Sequence, residues 1–145
     1  MDKQLEHYID QIIEKHFGIK PKKILRMKNG ICNEVFLLGL DKKEVIIRLN
    51  DDEDEMRGSE IYIPLFKSKG IKVPDIITSD YSKKFVPYYY QIQSKIEGED
   101  INKVIHKLSK KQLYSIATEI ANIFKKLLPI PTNGKFGFLY GEEKN

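Results

Sequence analysis

Arg48 lies in the run Glu44-Val45-Ile46-Ile47-Arg48-Leu49, a lone cation among aliphatic residues. A charge on a buried strand is costly unless it meets an opposite charge or an anionic ligand. Two partners suit it. One is Glu60, on the helical segment beyond an acidic turn. The other is a phosphate, which a guanidinium grips through parallel N–H donors and without losing its proton. Upstream, Lys28-Asn29-Gly30 joins two apolar runs. On its own an Asn-Gly pair is a hairpin turn. A glycine there also lets backbone N–H groups approach an anion closely. Glycine loop, cation and acid together suit the binding of a phosphate.

These groups need strands and helices to hold them. Leu5, Ile9, Ile12 and Ile13 recur at helical spacing, Tyr8 and Phe17 extend the stripe, and Gly18 marks its stop. Ile24 to Met27, Cys32 to Leu40 and Glu44 to Leu49 read as three strands of an antiparallel meander, with Asp41-Lys42-Lys43 as the second turn. The acids from Asp51 to Glu55 suit the start of a helix, where the dipole favours negative charge, better than a cation site. That helix is expected to pack Ile61, Tyr62, Leu65 and Phe66 on one face, to kink at Pro64 and to end at Gly70. Val73 to Thr78 and Phe85 to Ile96 read as two further strands, joined through a turn at Ser79 to Ser82. In the second, Tyr88, Tyr90, Ile92 and Ser94 share one face, and Tyr89, Gln91, Gln93 and Lys95 the other. The tyrosines are read as sheet packing rather than as a platform for bases.

Beyond Gly98 the chain turns helical. Asp100 caps a short helix through Lys107, and Ser109 to Gln112 forms a capping box. Leu113, Ile116, Ala117, Ile120, Ala121, Phe124, Leu127 and Leu128 follow helical spacing until Pro129 and Pro131. The expected fold is α+β: a five-stranded antiparallel sheet with a flanking helix, an N-terminal helix and a C-terminal helical segment. The composition shift divides residues 1–97, the sheet-bearing part, from 98–145, the helical part. The stripe from Leu113 to Leu128 is expected to cover part of the sheet or to pair with another copy of the chain.

Bulk properties narrow the class. The chain has 145 residues, 41% of them hydrophobic, a formal charge of +4 and a pI near 9.0. That mild basicity favours anionic ligands and names none. Nucleic acid is not expected, because no basic, base-reading strand motif accompanies the tyrosines. The single cysteine, Cys32, excludes an internal disulfide and suits a reducing cytoplasm. The first residues carry early acids and no long apolar run, so neither a secretory leader nor a membrane span is expected. His7 and His16 have no partner ligand at metal spacing and read as solvated or half-buried side chains.

The order of these parts resembles the N-terminal lobe of the aminoglycoside phosphotransferase and choline kinase-like family, within the protein kinase-like fold. Gly30-Ile31-Cys32-Asn33-Glu34-Val35-Phe36 resembles that family's glycine–asparagine loop running into the second strand. Val45-Ile46-Ile47-Arg48 resembles its third strand, where the phosphate-pairing cation sits, and Ser59-Glu60 falls at the helix glutamate. Gly70-Ile71-Lys72-Val73-Pro74 resembles the turn before the fourth strand, and Gln93-Ser94-Lys95-Ile96-Glu97-Gly98 the linker between lobes. The resemblance implies a site for ATP built from Gly30, Asn33, Arg48, Glu60, Gln93, Ser94 and Ile96. In it Glu60 holds the guanidinium, the Ser94 carbonyl accepts from the adenine amino group, the Ile96 N–H donates to a ring nitrogen, and Gln93 stands at the back of the pocket.

The resemblance also implies what lies elsewhere. The family's His-Gly-Asp loop and its metal-binding acids have no counterpart here: His106 is followed by Lys-Leu-Ser, and Leu127-Leu128 stands where Leu-His is usual. No catalytic residue is therefore expected in this chain, magnesium ligands are expected outside it, and the chain is expected to be inactive alone, with its catalytic lobe missing. The implied activity is transfer of the ATP γ-phosphate to a hydroxyl of an aminoglycoside or similar small molecule bound by that lobe. The alternative reading is a non-catalytic nucleotide- or anion-binding regulatory module, supported by the lysines at 103, 107, 110, 111, 125 and 126. Self-association through the surface that would face a second lobe accompanies either reading.

Overall fold

The structure, a computed structural model, describes residues 2–27 and 33–131. The chain opens with helix α1, Lys3–Phe17. The Asp2 carboxylate accepts from the Gln4 N–H at 3.0 Å and so satisfies one donor at the helix start. At the other end Gly18 takes a left-handed conformation (φ 68), and its N–H closes on the Glu14 carbonyl at 2.9 Å. The strands are β1 (Lys23–Arg26), β2 (Glu34–Gly39), β3 (Glu44–Asn50), β4 (Ile76–Asp80) and β5 (Tyr89–Ser94). They form one antiparallel sheet in the order β1-β2-β3-β5-β4. Helix α2, Asp54–Ser68, connects β3 to β4. Among the described residues no helix is long and apolar enough to cross a membrane.

Alternation along the strands gives the sheet two unlike faces. Phe36, Leu38, Val45, Ile47, Leu49, Tyr90 and Ile92 point to one side, where they bury Ile9, Ile12 and Ile13 of α1 in a single core. Val35, Leu37, Ile46, Arg48, Gln91 and Gln93 hold the alternate positions and face the other side. Helix α2 meets this second face in its first half, where Met56 and Gly58 are buried and the Ser59 hydroxyl reaches Gln91 at 2.9 Å.

Several boundaries differ from those expected. β4 begins at Ile76 rather than Val73, and β5 at Tyr89 rather than Phe85. Pro74 and Pro87 have no N–H to give a ladder, and each strand starts two residues after its proline. Ser79 and Asp80 belong to β4, opposite Gln91 and Tyr90, and not to the turn. In α2 the expected stripe is half-buried at Tyr62, Leu65 and Phe66 but open at Ile61, which is 47% exposed.

The remaining elements are α3 (Ile101–Val104), a single 3-10 turn (Ile105–Lys107) and α4 (Lys110–Leu127). Asp100 accepts from the Asn102 N–H at 2.9 Å, and the capping box at Ser109 and Gln112 forms with both of its bonds. The stripe on α4 does not cover the sheet. None of its residues is buried, and Phe124 is 63% exposed. Lys126 ties the end of the helix to the body through the Gly70 carbonyl at 2.8 Å.

One polar cluster closes the core where α1 meets β4 and β5. The buried Tyr90 hydroxyl lies 2.9 Å from His16 Nε2 and 3.4 Å from both Lys15 Nζ and Asp80 Oδ2. Lys15 also pairs with Asp80 and lies over the Phe85 ring at 4.5 Å. Burial, then the charge of Lys15, holds the His16 imidazole below its ordinary pKa, and Asp80 opposes them in part. The folded state therefore binds fewer protons at His16 than the unfolded chain does. That contribution is lost as pH falls below the ordinary histidine range. Asp80 is held low chiefly by its bonds from Ser82, so its own contribution disappears only in more acidic solution. Urea midpoints measured between pH 7.5 and 5 should fall, and His16→Gln should flatten that fall. An unchanged slope in the variant would remove His16 as its cause.

Candidate functional site

The second face of the sheet carries two adjacent rungs. Val35, Arg48, Gln91 and Ser79 stand opposite one another across β2, β3, β5 and β4. Leu25, Leu37, Ile46, Gln93 and Ile76 form the neighbouring rung. The first is polar and carries the cation. The second is an apolar strip, open at Leu25, with the Gln93 amide set into it. Arg48 and Gln93 thus lie on the same face, one rung apart.

Arg48 is half-buried and engaged in interactions of its own. Glu60 is fixed from β4, where the Ser79 hydroxyl donates to its carboxylate. The charges of Glu60 and Arg48 both act on Tyr81, just past the end of β4. Burial raises the pKa of that phenol, the neighbouring Glu60 charge raises it further, and the Ser79 bond and the Arg48 charge oppose them. The Arg57 guanidinium covers the Tyr81 ring at 4.9 Å and pairs with Glu53 one turn back along α2.

Gln91 is the hub of this cluster. It is fully buried, and its whole amide is used. Nε2 donates to Ser79 Oγ and to the Tyr81 hydroxyl, each at 3.3 Å, while Oε1 accepts from Ser59 Oγ at 2.9 Å and from Gln93 Nε2 at 2.5 Å. One side chain thereby joins α2, β4 and β5. Sequence reasoning missed Gln91, Ser79, Ser59 and Tyr81 as parts of the site. The signal was present in β5, where two glutamines share one face of an apolar strand and must find partners.

The other residues expected at the site lie around this centre. Asn33 accepts from Asn50 Nδ2 at 3.1 Å, and Asn50 Oδ1 accepts from the Asp52 N–H at 2.8 Å. The start of β2 is thus bound to the end of β3. Gly30 lies outside the described residues. Ser94 uses its N–H and its hydroxyl on the backbone of Asp75, both at 2.8 Å, and neither bond involves the Ser94 carbonyl. Lys95 bridges Glu44 at 2.6 Å and Glu97 at 3.4 Å, which anchors the segment that leads to the half-exposed Ile96.

Chemically, the second face offers a flat apolar strip with one polar amide, a strand end at Ser94 to Ile96 and a guanidinium one rung away. That layout suits a planar heterocycle carrying an anionic tail. The cleft lined by Asp51, Asp52, Glu53, Asp54 and Tyr89 does not, because its carboxylates repel an anion. Among the described residues no group of three or more His, Cys, Asp or Glu is placed to hold a metal ion.

No family model matches the sequence, and no curated protein matches it. Solved structures match in shape. The GDP complex of wild-type aminoglycoside 2'-phosphotransferase-IIIa superposes with a TM-score of 0.71 over 92% of this chain, at 16% identity. The GDP and kanamycin complex of APH(2")-IIia gives 0.69 over 88%, also at 16% identity. A thermostable mutant of APH(4)-Ia, in ternary complex with ADP and hygromycin B, gives 0.63 over 85%, at 13% identity. The chain spans 44%, 43% and 39% of those three chains. At these identities the likeness is one of fold: this chain has the kinase-like α+β fold of aminoglycoside phosphotransferases, over less than half of their length.

Proposed function

We propose that this chain is the ATP-binding lobe of a cytoplasmic small-molecule kinase, one that transfers the γ-phosphate of ATP to a hydroxyl of an aminoglycoside or a similar compound. The observation that carries the reading is the placement of Arg48 one rung from the apolar strip, beside the Glu60, Tyr81 and Gln91 cluster. A base would lie on Leu25, Leu37 and Ile46, reach the Ser94 carbonyl and the Ile96 N–H at its edge, and extend its phosphates toward Arg48 and the loop at Gly30 and Asn33. Structures of the same fold bind GDP or ADP, and two of them kanamycin or hygromycin B. In this reading residues 1–97 are the nucleotide lobe, and 98–145 begin a second, helical part that belongs to the acceptor and the chemistry. No catalytic residue is assigned in this chain. Magnesium ligands are expected outside this chain in this reading, so no step is routed through the ion.

A second reading is favoured by α4, whose apolar face stands open to a partner or to another copy of the chain. There the chain is a regulatory module that binds nucleotide or anion without transferring phosphate, and its binding does not respond to magnesium. Amide spectra recorded during titration with ATP test the proposed site. Shifts gathered at Arg48, Gln93, Ser94 and Ile96 are expected. Shifts confined to the acidic turn or to α4, or none at all, would overturn the assignment. A strong dependence on magnesium would count against the regulatory reading.

A further inference from the structure

Tyr81 follows β4 directly, and two kinds of contact fix it. Its ring packs against the Arg57 guanidinium, 4.9 Å from the ring centroid, and against the Tyr89 ring, 6.3 Å away and tilted by 41°. Both neighbours are themselves held: Arg57 pairs with Glu53, and Lys83 Nζ lies over the Tyr89 ring at 4.3 Å. The Tyr81 hydroxyl accepts from Gln91 Nε2 at 3.3 Å. Gln91 occupies the rung position between Arg48 and Ser79. The hydroxyl is thus bound to the middle of the rung, with the guanidinium to one side and Ser79, which donates to Glu60, to the other. Gln91 supplies the proton of its bond, so the phenol keeps its own proton to give. Burial raises the phenol's pKa most, and the charge and hydrogen bond of Glu60 raise it further, the mark of a hydroxyl that donates to a carboxylate.

We propose that Tyr81 is a positioning residue for the phosphate end of the site: its hydroxyl, with that of Ser79, holds the Glu60 carboxylate in one place beside Arg48. This rests on the nucleotide-site reading above and goes beyond it, because it names what fixes the acid that the cation and its ligand meet. Glu60 is exposed on α2, and a glutamate there has several side-chain torsions to vary. Two hydroxyl protons reduce that freedom to one position. Released, the carboxylate takes up positions nearer the phosphates or farther from the guanidinium, and either weakens a ligand that carries phosphate. Adenosine, with no phosphate, is indifferent to the change. The ring contacts serve the same end: with Arg57 and Tyr89 against it, the phenol is kept from turning its hydroxyl away into solvent.

The test is titration of the full chain and its variants with ATP and with adenosine, with urea midpoints measured in parallel. Tyr81→Phe keeps the ring and its contacts and removes the hydroxyl alone. It is expected to weaken ATP about tenfold, toward the lower end for a hydrogen bond to a charged group, because Ser79 still holds the carboxylate. Adenosine binding should stay within about twofold of its value in the unaltered chain. In a Glu60→Ala background no carboxylate is left to hold, so the same substitution should change ATP binding by less than about twofold. Unchanged ATP affinity in Tyr81→Phe, an equal loss of ATP and adenosine, or the full loss repeated in Glu60→Ala would overturn the positioning role and leave the nucleotide site standing. Binding of neither ATP nor adenosine by the unaltered chain would overturn both.

Discussion

Arg48→Ala is expected to weaken ATP binding by roughly ten- to a hundredfold, as the loss of charge-assisted hydrogen bonds worth about 1.5–3 kcal/mol requires. The fold should survive. Arg48 lies on the open face of β3, between Val35 and Gln91, and contributes nothing to the apolar core on the other side. Arg48→Lys keeps the charge and loses the planar fork, so an intermediate affinity is expected. Adenosine, which has no phosphates, should bind the unaltered chain and the alanine variant alike. The decisive comparison is ATP against adenosine in both proteins, with urea midpoints measured in parallel. Equal loss for both ligands would place Arg48 in the general structure of the face and not at a phosphate. Unchanged ATP affinity would remove it from the site. In a complete phosphotransferase the same substitution should abolish transfer.

The largest expected loss of stability belongs to the opposite face. Phe36 is fully buried in the cluster that joins β2, β3 and β5 to α1. Phe36→Ala should cost about 3–5 kcal/mol, from lost transfer energy and the cavity left behind. Domains are stable by about 5–15 kcal/mol in total, so this one change would bring the chain close to unfolding at ambient temperature. Leu25→Ala supplies the contrast. Leu25 is an apolar residue of the same sheet on the open face, and its loss should change the midpoint little. If the two variants shifted the urea midpoint equally, α1 would not be the layer that seals the core.

How much of this could be read beforehand depended on the kind of signal. Period is local, and elements set by period were legible: α1 ends at its glycine, β3 matches its apolar run, and α4 begins at its capping box. The two misjudged strand starts follow from Pro74 and Pro87, which were visible and underweighted. Arg48 was legible because a cation in an apolar run demands a partner. The identity of the groups around Glu60 was not. Ser79 reaches Glu60 and Gln91 only because β4 lies outside β5 in the sheet, and strand order is a non-local fact. Tyr81 was hidden in the same way, since a turn signal says nothing of where its side chain lands. For α4 the amphipathic pattern was right, and of its two expected uses the structure removes the cover for the sheet, because a stripe states that a face is apolar and not what meets it.

The strand order has a consequence for motion. β3 is the central strand, paired along its length with β2 on one side and β5 on the other, while β1 and β4 form the edges. Edge strands open by local fluctuations, and a central strand exchanges its amide protons only when the whole sheet comes apart. The residues around Arg48 should therefore be the slowest in the molecule to exchange with solvent, slower than Leu25 on β1 or Ile77 on β4. The cation is carried by the stiffest part of the chain, so a ligand that meets it has no backbone there left to order.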